Sequence, residues 1–149
     1  MEKEEMKEEE LQVINIEDFF TTQNEDEGVW FEPYINGTPC GIEFLVTGSG
    51  TDKNAAQAER FKKERAKIEA LKDPEERSAK LKELDSKRAA QFVHGIRAAK
   101  GCKINFGGQA LEYSKPMIEK IMFGAPLIRL EIINFAYETA NFMKREKNA

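Results

Sequence analysis

The run "LIRLEIINFAYETANFM", Leu127 to Met143, most limits the folds open to this chain. Ile128, Leu130, Ile132, Ile133, Phe135, Ala136, Tyr137, Ala140, Phe142 and Met143 recur so densely that a helix from Leu127 to about Arg145 is apolar nearly all the way round. A helix apolar on every side must be covered on every side. It is the centre of the fold or half of an interface. The chain has 149 residues, 34% of them charged, and its middle is written as two long polar helices that offer little to cover this one. One side of the last helix, around Tyr137 and Phe142, is therefore expected to meet a partner protein or a second copy.

Upstream, "VWFEPYINGTPCGIEFLV" has the form of a β-hairpin joined at Asn36-Gly37, the dipeptide that best tolerates positive φ in a tight turn. Pro33 and Pro39 cannot donate to a ladder, so an edge or partly irregular hairpin is expected. Before it, "LQVINIEDFF" is expected to be anchored by Val13, Ile14, Ile16, Phe19 and Phe20, and "TTQNEDEG" to form an exposed loop. From Asp52 the pattern turns helical, with Thr51 or Asp52 as the cap. Asp73-Pro74 divides this stretch, Asp as N-cap and Pro at the first helical position. The second helix is expected to continue to about Lys100, counting Leu81, Leu84, Ala89, Phe92, Val93 and Ile96 as its apolar side, with Glu76→Lys80 and Glu83→Lys87 lacing its wet one. Narrow apolar stripes make this pair an exposed helical hairpin. "KGCKINFGGQALEYSKP" is expected to be a loop with a short strand at Lys103–Phe106, and a short helix opens at Ser114-Lys115-Pro116 and runs to about Phe123.

The expected fold class is α+β: an N-terminal β-hairpin or small sheet, a long charged helical hairpin and C-terminal helices. Residues 1–10 are expected to be an acidic disordered tail, since nothing in them can be buried. Residues 11–149 then form a single domain, β-rich over 11–50, a helical hairpin over 52–100, and a loop plus helices over 101–149. Charge is polarised along it. Residues 11–51 hold seven acids and no base, whereas residues 52–100 hold nine acids and fourteen bases. The pI of about 5.3 and the lack of a concentrated basic face argue against nucleic acid as the partner. No apolar run approaches the roughly 20 residues a membrane span needs. "MEKEEMKEEE" lacks the basic-then-apolar order of a signal peptide. Cys40 and Cys102 match no metal spacing, and a reducing cytoplasm is the simplest compartment.

Candidate chemistry is sparse. "LVTGSGTDKN" places two glycines between an apolar run and a helix start, the order of parts in a phosphate-binding loop. Thr51-Asp52-Lys53 follows in place of the lysine-then-hydroxyl pair that should come at once, and Asp52 puts a negative charge where a phosphate would sit. Gly48-Ser49-Gly50 therefore reads as a strand-to-helix joint. His94 is the lone histidine, so a catalytic triad or a histidine-rich metal site lacks its usual parts. Cys40 has no base oriented toward it and reads as a small buried thiol. Glu25-Asp26-Glu27 lacks the spacing of a calcium loop. The bases Arg60, Lys62, Lys63, Arg65 and Lys67 are interleaved with Glu59, Glu64 and Glu69, which neutralise much of their field. No catalytic, metal or cofactor site is expected. Trp30, Phe31 and Tyr34 on the hairpin, with Tyr137 and Phe142 on the last helix, are the candidate protein-interaction residues.

"GVWFEPYINGTPCGIEFLVTGSGTDKNAAQAERF", the charged helical middle, "INFGGQALEYSKPMIEKIM" and "LIRLEIINFAYETANFM" together resemble the tail assembly chaperones of long-tailed (siphovirus-like) bacteriophages. Gly50-Thr51-Asp52-Lys53-Asn54 matches that family's turn into helix, Gly107–Pro116 its glycine-then-helix segment, and Asn141-Phe142 its closing "NF". Phe106 stands where relatives carry a tryptophan-type aromatic. The resemblance implies a non-enzymatic helper in the host cytoplasm that binds the tape measure protein, recruits the major tail (tube) protein and is absent from the mature virion. A frameshifted longer form often accompanies it. A structural tail or neck component of the virion, and a nucleic-acid-associated regulator using the basic 52–100 helices, are the alternative readings.

Overall fold

A computed structural model describes residues 11–143, and the acidic tail expected at residues 1–10 lies outside them. The architecture is α+β. A 3-10 turn at Ile16–Phe19 and a short helix, α1 (Thr22–Glu27), lead into β1 (Val29–Phe31), β2 (Tyr34–Ile35), β3 (Thr38–Pro39) and β4 (Ile42–Val46). The hairpin is the one its turn demands. Asn36 and Gly37 take φ of 55° and 76°, which fits a primed turn between antiparallel strands, and Tyr34 faces Pro39 while Ile35 faces Thr38. Below the turn the ladder breaks at Pro33. There Cys40 N donates to Pro33 O, and the Glu32 carboxylate accepts from Gly41 N at 2.8 Å. Beyond that break β1 and β4 resume pairing, Val29 opposite Val46 and Phe31 opposite Phe44.

Two capped helices follow, α2 (Asp52–Glu69) and α3 (Pro74–Gln91). The Thr51 hydroxyl accepts from Asn54 N, and the Asp73 carboxylate accepts from Glu75 N. The helical hairpin is tied across by Arg65 to Asp85 at 2.6 Å, with Arg88 on the same carboxylate. Of the expected charge pairs, Glu76–Lys80 and Glu83–Lys87 both stand at 3.9 Å.

The second helix does not run to Lys100. It stops at Gln91, and Val93–Ala98 is a strand, β5, antiparallel to β4 in a three-stranded sheet of order β1-β4-β5. In "FVHGIRA" the apolar residues fall at a spacing that serves a helix or a strand, an ambiguity common to short runs. What decides is the otherwise unpaired side of β4, whose buried backbone groups need partners. A register irregularity between Leu45 and Val46 brings Val93 opposite Val46 and keeps Ile96 opposite Phe44. The inner face of the sheet is thus built of two cross-strand rows, Phe31–Phe44–Ile96 and Val29–Val46–Val93.

Over that face lie the end of α3, α4 (Lys115–Gly124) and α5 (Pro126–Tyr137). Phe44, Val46, Ala89, Ala90, Phe92, Val93, Ile118, Met122, Ile132 and Ala136 form one continuous buried cluster. Ser114 caps α4 by accepting from Met117 N. A two-stranded ribbon, β6 (Asn105–Phe106) and β7 (Gln109–Ala110), replaces the single short strand expected after Lys103. The last helix is also shorter than its apolar run. It ends at Tyr137, Glu138 is extended, and a separate 3-10 turn spans Thr139–Phe142. The freed Phe135 carbonyl accepts from Glu138 N and from the Asn141 amide at 3.1 Å, which satisfies the helix end. No helix among the described residues is long and apolar enough to cross a membrane.

Candidate protein-interaction surface

The glycine junction is committed to the fold. Gly48 N donates to Glu25 O, Ser49 N to Ala136 O, Thr51 N to Gly48 O and Asn54 N to the Thr51 hydroxyl. A phosphate cradle needs such amides pointing at the ligand. Gly48 is required by closeness: a Cβ there would stand 2.6 Å from the Glu25 side chain. The hollow beside the joint is lined by Asp26, Glu27 and Asp52 against Lys53 and His94, a lining that repels polyphosphate. Millimolar ATP or GTP is accordingly expected to leave the melting temperature unchanged. A dose-dependent rise would overturn the reading of this loop as a joint, because a ligand of the native state must stabilise it.

His94 lies on β5, not on a helix. Burial, then the positive charges of Lys115 and Lys53, hold its pKa below the usual imidazole value of 6.5. The unfolded chain therefore takes up a proton at a pH where the folded chain does not. This contribution to stability is intact above about pH 6.5 and is lost as pH falls toward the folded pKa. His94→Gln should shrink the loss of melting temperature between about pH 7.5 and 5.5. An unchanged loss would refute the assignment.

The five candidate interaction residues separate by face. Successive strand residues point to opposite sides of a sheet, so Trp30 and Phe31 cannot share a role. Phe31 faces inward and stacks on Phe135 at 4.1 Å between ring centroids. It is a wall of the core. Trp30 sits on the outer face, its ring over Gly95 and beneath the Arg97 guanidinium at 3.9 Å, and Arg97 is also paired with Glu43. Tyr34 is 58% exposed, and its backbone amide donates to Glu131 of α5. Tyr137, at the end of α5, is 49% exposed with its ring edge-on to Phe92. Phe142 is 0% exposed and packs edge-on against Phe135. It is a core residue of this chain, because the break at Glu138 swings the following turn inward instead of continuing the α5 face.

An exposed strip of other residues runs along α5. Leu127 and Leu130 are each 55% exposed. With Asn134 and Tyr137 they fall within about 80° of the helix circumference at 3.6 residues per turn, and Tyr34 approaches through Glu131. Spacing of i, i+3, i+7 and i+10 was a legible signal. The second exposed region is the segment expected to be anchored, since Leu11, Val13, Ile14, Ile16, Phe19 and Phe20 are all exposed, Val13 to 80%. By contrast the basic run on α2 is partly spent inside the hairpin, Arg65 being shared between Asp85 and Glu69. No known protein family, curated protein or solved structure matches this chain.

Proposed function

We propose that the chain is a non-enzymatic phage tail assembly chaperone that binds the tape measure protein and tail-tube subunits in the host cytoplasm and is absent from the finished particle. The observation that carries this reading is the outward strip of α5. Leu127, Leu130 and Tyr137 stand exposed on the helix whose opposite side, at Ile132 and Ala136, is the centre of the core. A rigid, half-buried helix showing a row of large apolar side chains is a ready seat for an amphipathic partner helix. Fully burying each such side chain is worth roughly 1.5–3 kcal/mol, so three or four support a specific complex without any catalytic group. The family resemblance supplies the partner, the tape measure protein.

The test is co-purification with the tape measure and tube proteins of the same phage. Wild-type chain should retain the tape measure protein, and Leu130→Glu with Tyr137→Glu should lose it while keeping the wild-type circular dichroism. Equal retention by the double variant, or stoichiometric recovery of the chain from purified virions, would overturn the proposal.

A further inference from the structure

We infer that Cys40 and Cys102 close an intramolecular disulfide by exchange with a low-molecular-weight disulfide of the glutathione type. The bond staples the base of the β2–β3 hairpin to the turn that follows β5. Both are free thiols, Cys40 partly buried and Cys102 exposed. In a reducing compartment they stay free, so the staple responds to a change of surroundings.

The fold brings the pair together from distant parts of the sequence. Beyond the end of β5, Ala99 N donates to Gly41 O at 3.0 Å, and Cys102 N donates to Ala99 O at 2.9 Å. The turn so formed lays the Cys102 side chain on Gly41, the residue after Cys40. A Cβ at Gly41 would stand 3.3 Å from Cys102 Sγ and 3.9 Å from its Cβ. Glycine suits this approach, since φ there is 85°, a conformation that strains any side chain. A disulfide needs Cα atoms about 4.4–6.8 Å apart, and Gly41 Cα is only about 3.8 Å from Cys40 Cα. The remaining adjustment falls on the turn at Lys100-Gly101, where a Cβ on Gly101 would meet nothing within 4 Å.

Exposure sets the order of events. Exchange proceeds by attack of a thiolate on a disulfide sulfur through a mixed disulfide. Cys102, the exposed thiol, loses its proton and bonds to one glutathione sulfur, releasing the other glutathione as a thiolate. Cys40, as a thiolate, then attacks Cys102 Sγ and releases the second. The chain gives up two protons and two electrons, and one glutathione disulfide becomes two thiols. Burial foremost, with the charges of Glu32 and of the Cys102 thiolate, holds the Cys40 thiol above its ordinary value of 9.0, against its hydrogen bond to Ile42 O. The second step is therefore the slower one, and it quickens as pH rises.

The test is incubation of the full chain, in buffer and in denaturing urea, over a series of oxidised-to-reduced glutathione ratios. Tryptic mapping reads the bond, because no lysine or arginine lies between Lys7 and Lys53 or between Lys100 and Lys103. The oxidised chain should be lighter by two hydrogen atoms, with the peptide Glu8–Lys53 joined to Gly101–Lys103. Folded chain should reach half oxidation at a ratio about tenfold or more below that of chain in urea, since the fold holds the thiols together. Cys40→Ser should stop with one glutathione on Cys102, and Cys102→Ser should react far more slowly. Folded wild-type chain that stops at mixed disulfides would overturn the inference. So would a link found only between chains, equal ratios in buffer and urea, or a Cys40→Ser variant that takes up no glutathione.

Discussion

Phe142→Ala is expected to lower folding stability by about 3–5 kcal/mol, the range for deleting a buried phenylalanine. Tyr137→Ala should cost less, about 1–3 kcal/mol, from half the burial of a large side chain and the roughly 0.5–1.5 kcal/mol of an edge-on ring pair. The contrast follows from position. Phe142 is wholly buried against Phe135, which is in turn stacked on Phe31 of the sheet, so its removal opens a void at the end of an aromatic row. The surrounding backbone is also held, for Asn24 of α1 donates its amide to Phe142 O at 3.1 Å. A collapse that fills the void would have to pull that contact apart. Tyr137 leaves half its surface in solvent. Urea denaturation of the two variants measures the difference. Equal losses would mean that the closing turn is not part of the core and that Phe142 belongs with Tyr137 on the surface.

Legibility followed the range of the physics. The Asn36-Gly37 turn, the caps at Thr51 and Asp73 and the helix start at Ser114-Lys115-Pro116 each depend on a few neighbouring residues, and each is where its sequence signal puts it. The α+β class followed from the same local signals. Two expectations fail where a distant partner decides, whereas α1 at Thr22–Glu27, expected as an exposed loop, and the ribbon at β6–β7 are local. Val93–Ala98 carries a pattern that suits helix or strand, and it is a strand because β4, some fifty residues earlier, has a side to pair. The run after Tyr137 is apolar enough to continue α5, yet Phe142 is more favourably placed under Phe135 than on an exposed extension. Nothing near Glu138 announces that choice.

The candidate surface was half legible for a related reason. Aromatic content pointed to Trp30, Phe31, Tyr34, Tyr137 and Phe142, but composition does not say which way a residue faces. Strand alternation sends Phe31 inward and Trp30 outward, and the helix break sends Phe142 inward. Leu127 and Leu130 carry no such mark, because leucine on an apolar helix reads as core. Leu11–Phe20 was misread in the opposite sense, as an anchored element, because its apolar content alone implied burial. The chain thus shows apolar residues at α5 and at its leading segment while its basic residues gather on α2 and α3, an arrangement suited to contacts with other chains.

Asn54→Leu should destabilise the fold by about 1–3 kcal/mol, the cost of leaving buried hydrogen-bonding groups unmet. Leucine is close to asparagine in size, so the substitution changes bonding more than volume. Asn54 is one of three buried polar side chains among the described residues. Its amide donates to the Thr47 hydroxyl at 2.9 Å and to Gly48 O at 2.8 Å. Thr47 passes the connection to Phe92 O, at the turn between α3 and β5. One side chain in the first turn of α2 therefore joins the end of β4, the glycine joint and the entry to β5. In "GTDKN" the asparagine is buried in the first turn of the helix, and this network is the physical reason for its presence. Asn54→Asp keeps the shape but turns a donor into an acceptor facing two acceptors, so its cost should exceed that of leucine at neutral pH and diminish as acid protonates the carboxylate. Denaturation of both variants at neutral and mildly acidic pH is the measurement. If leucine is tolerated without loss, the network contributes nothing, and the joint is held by the packing of Gly48 against Glu25 instead.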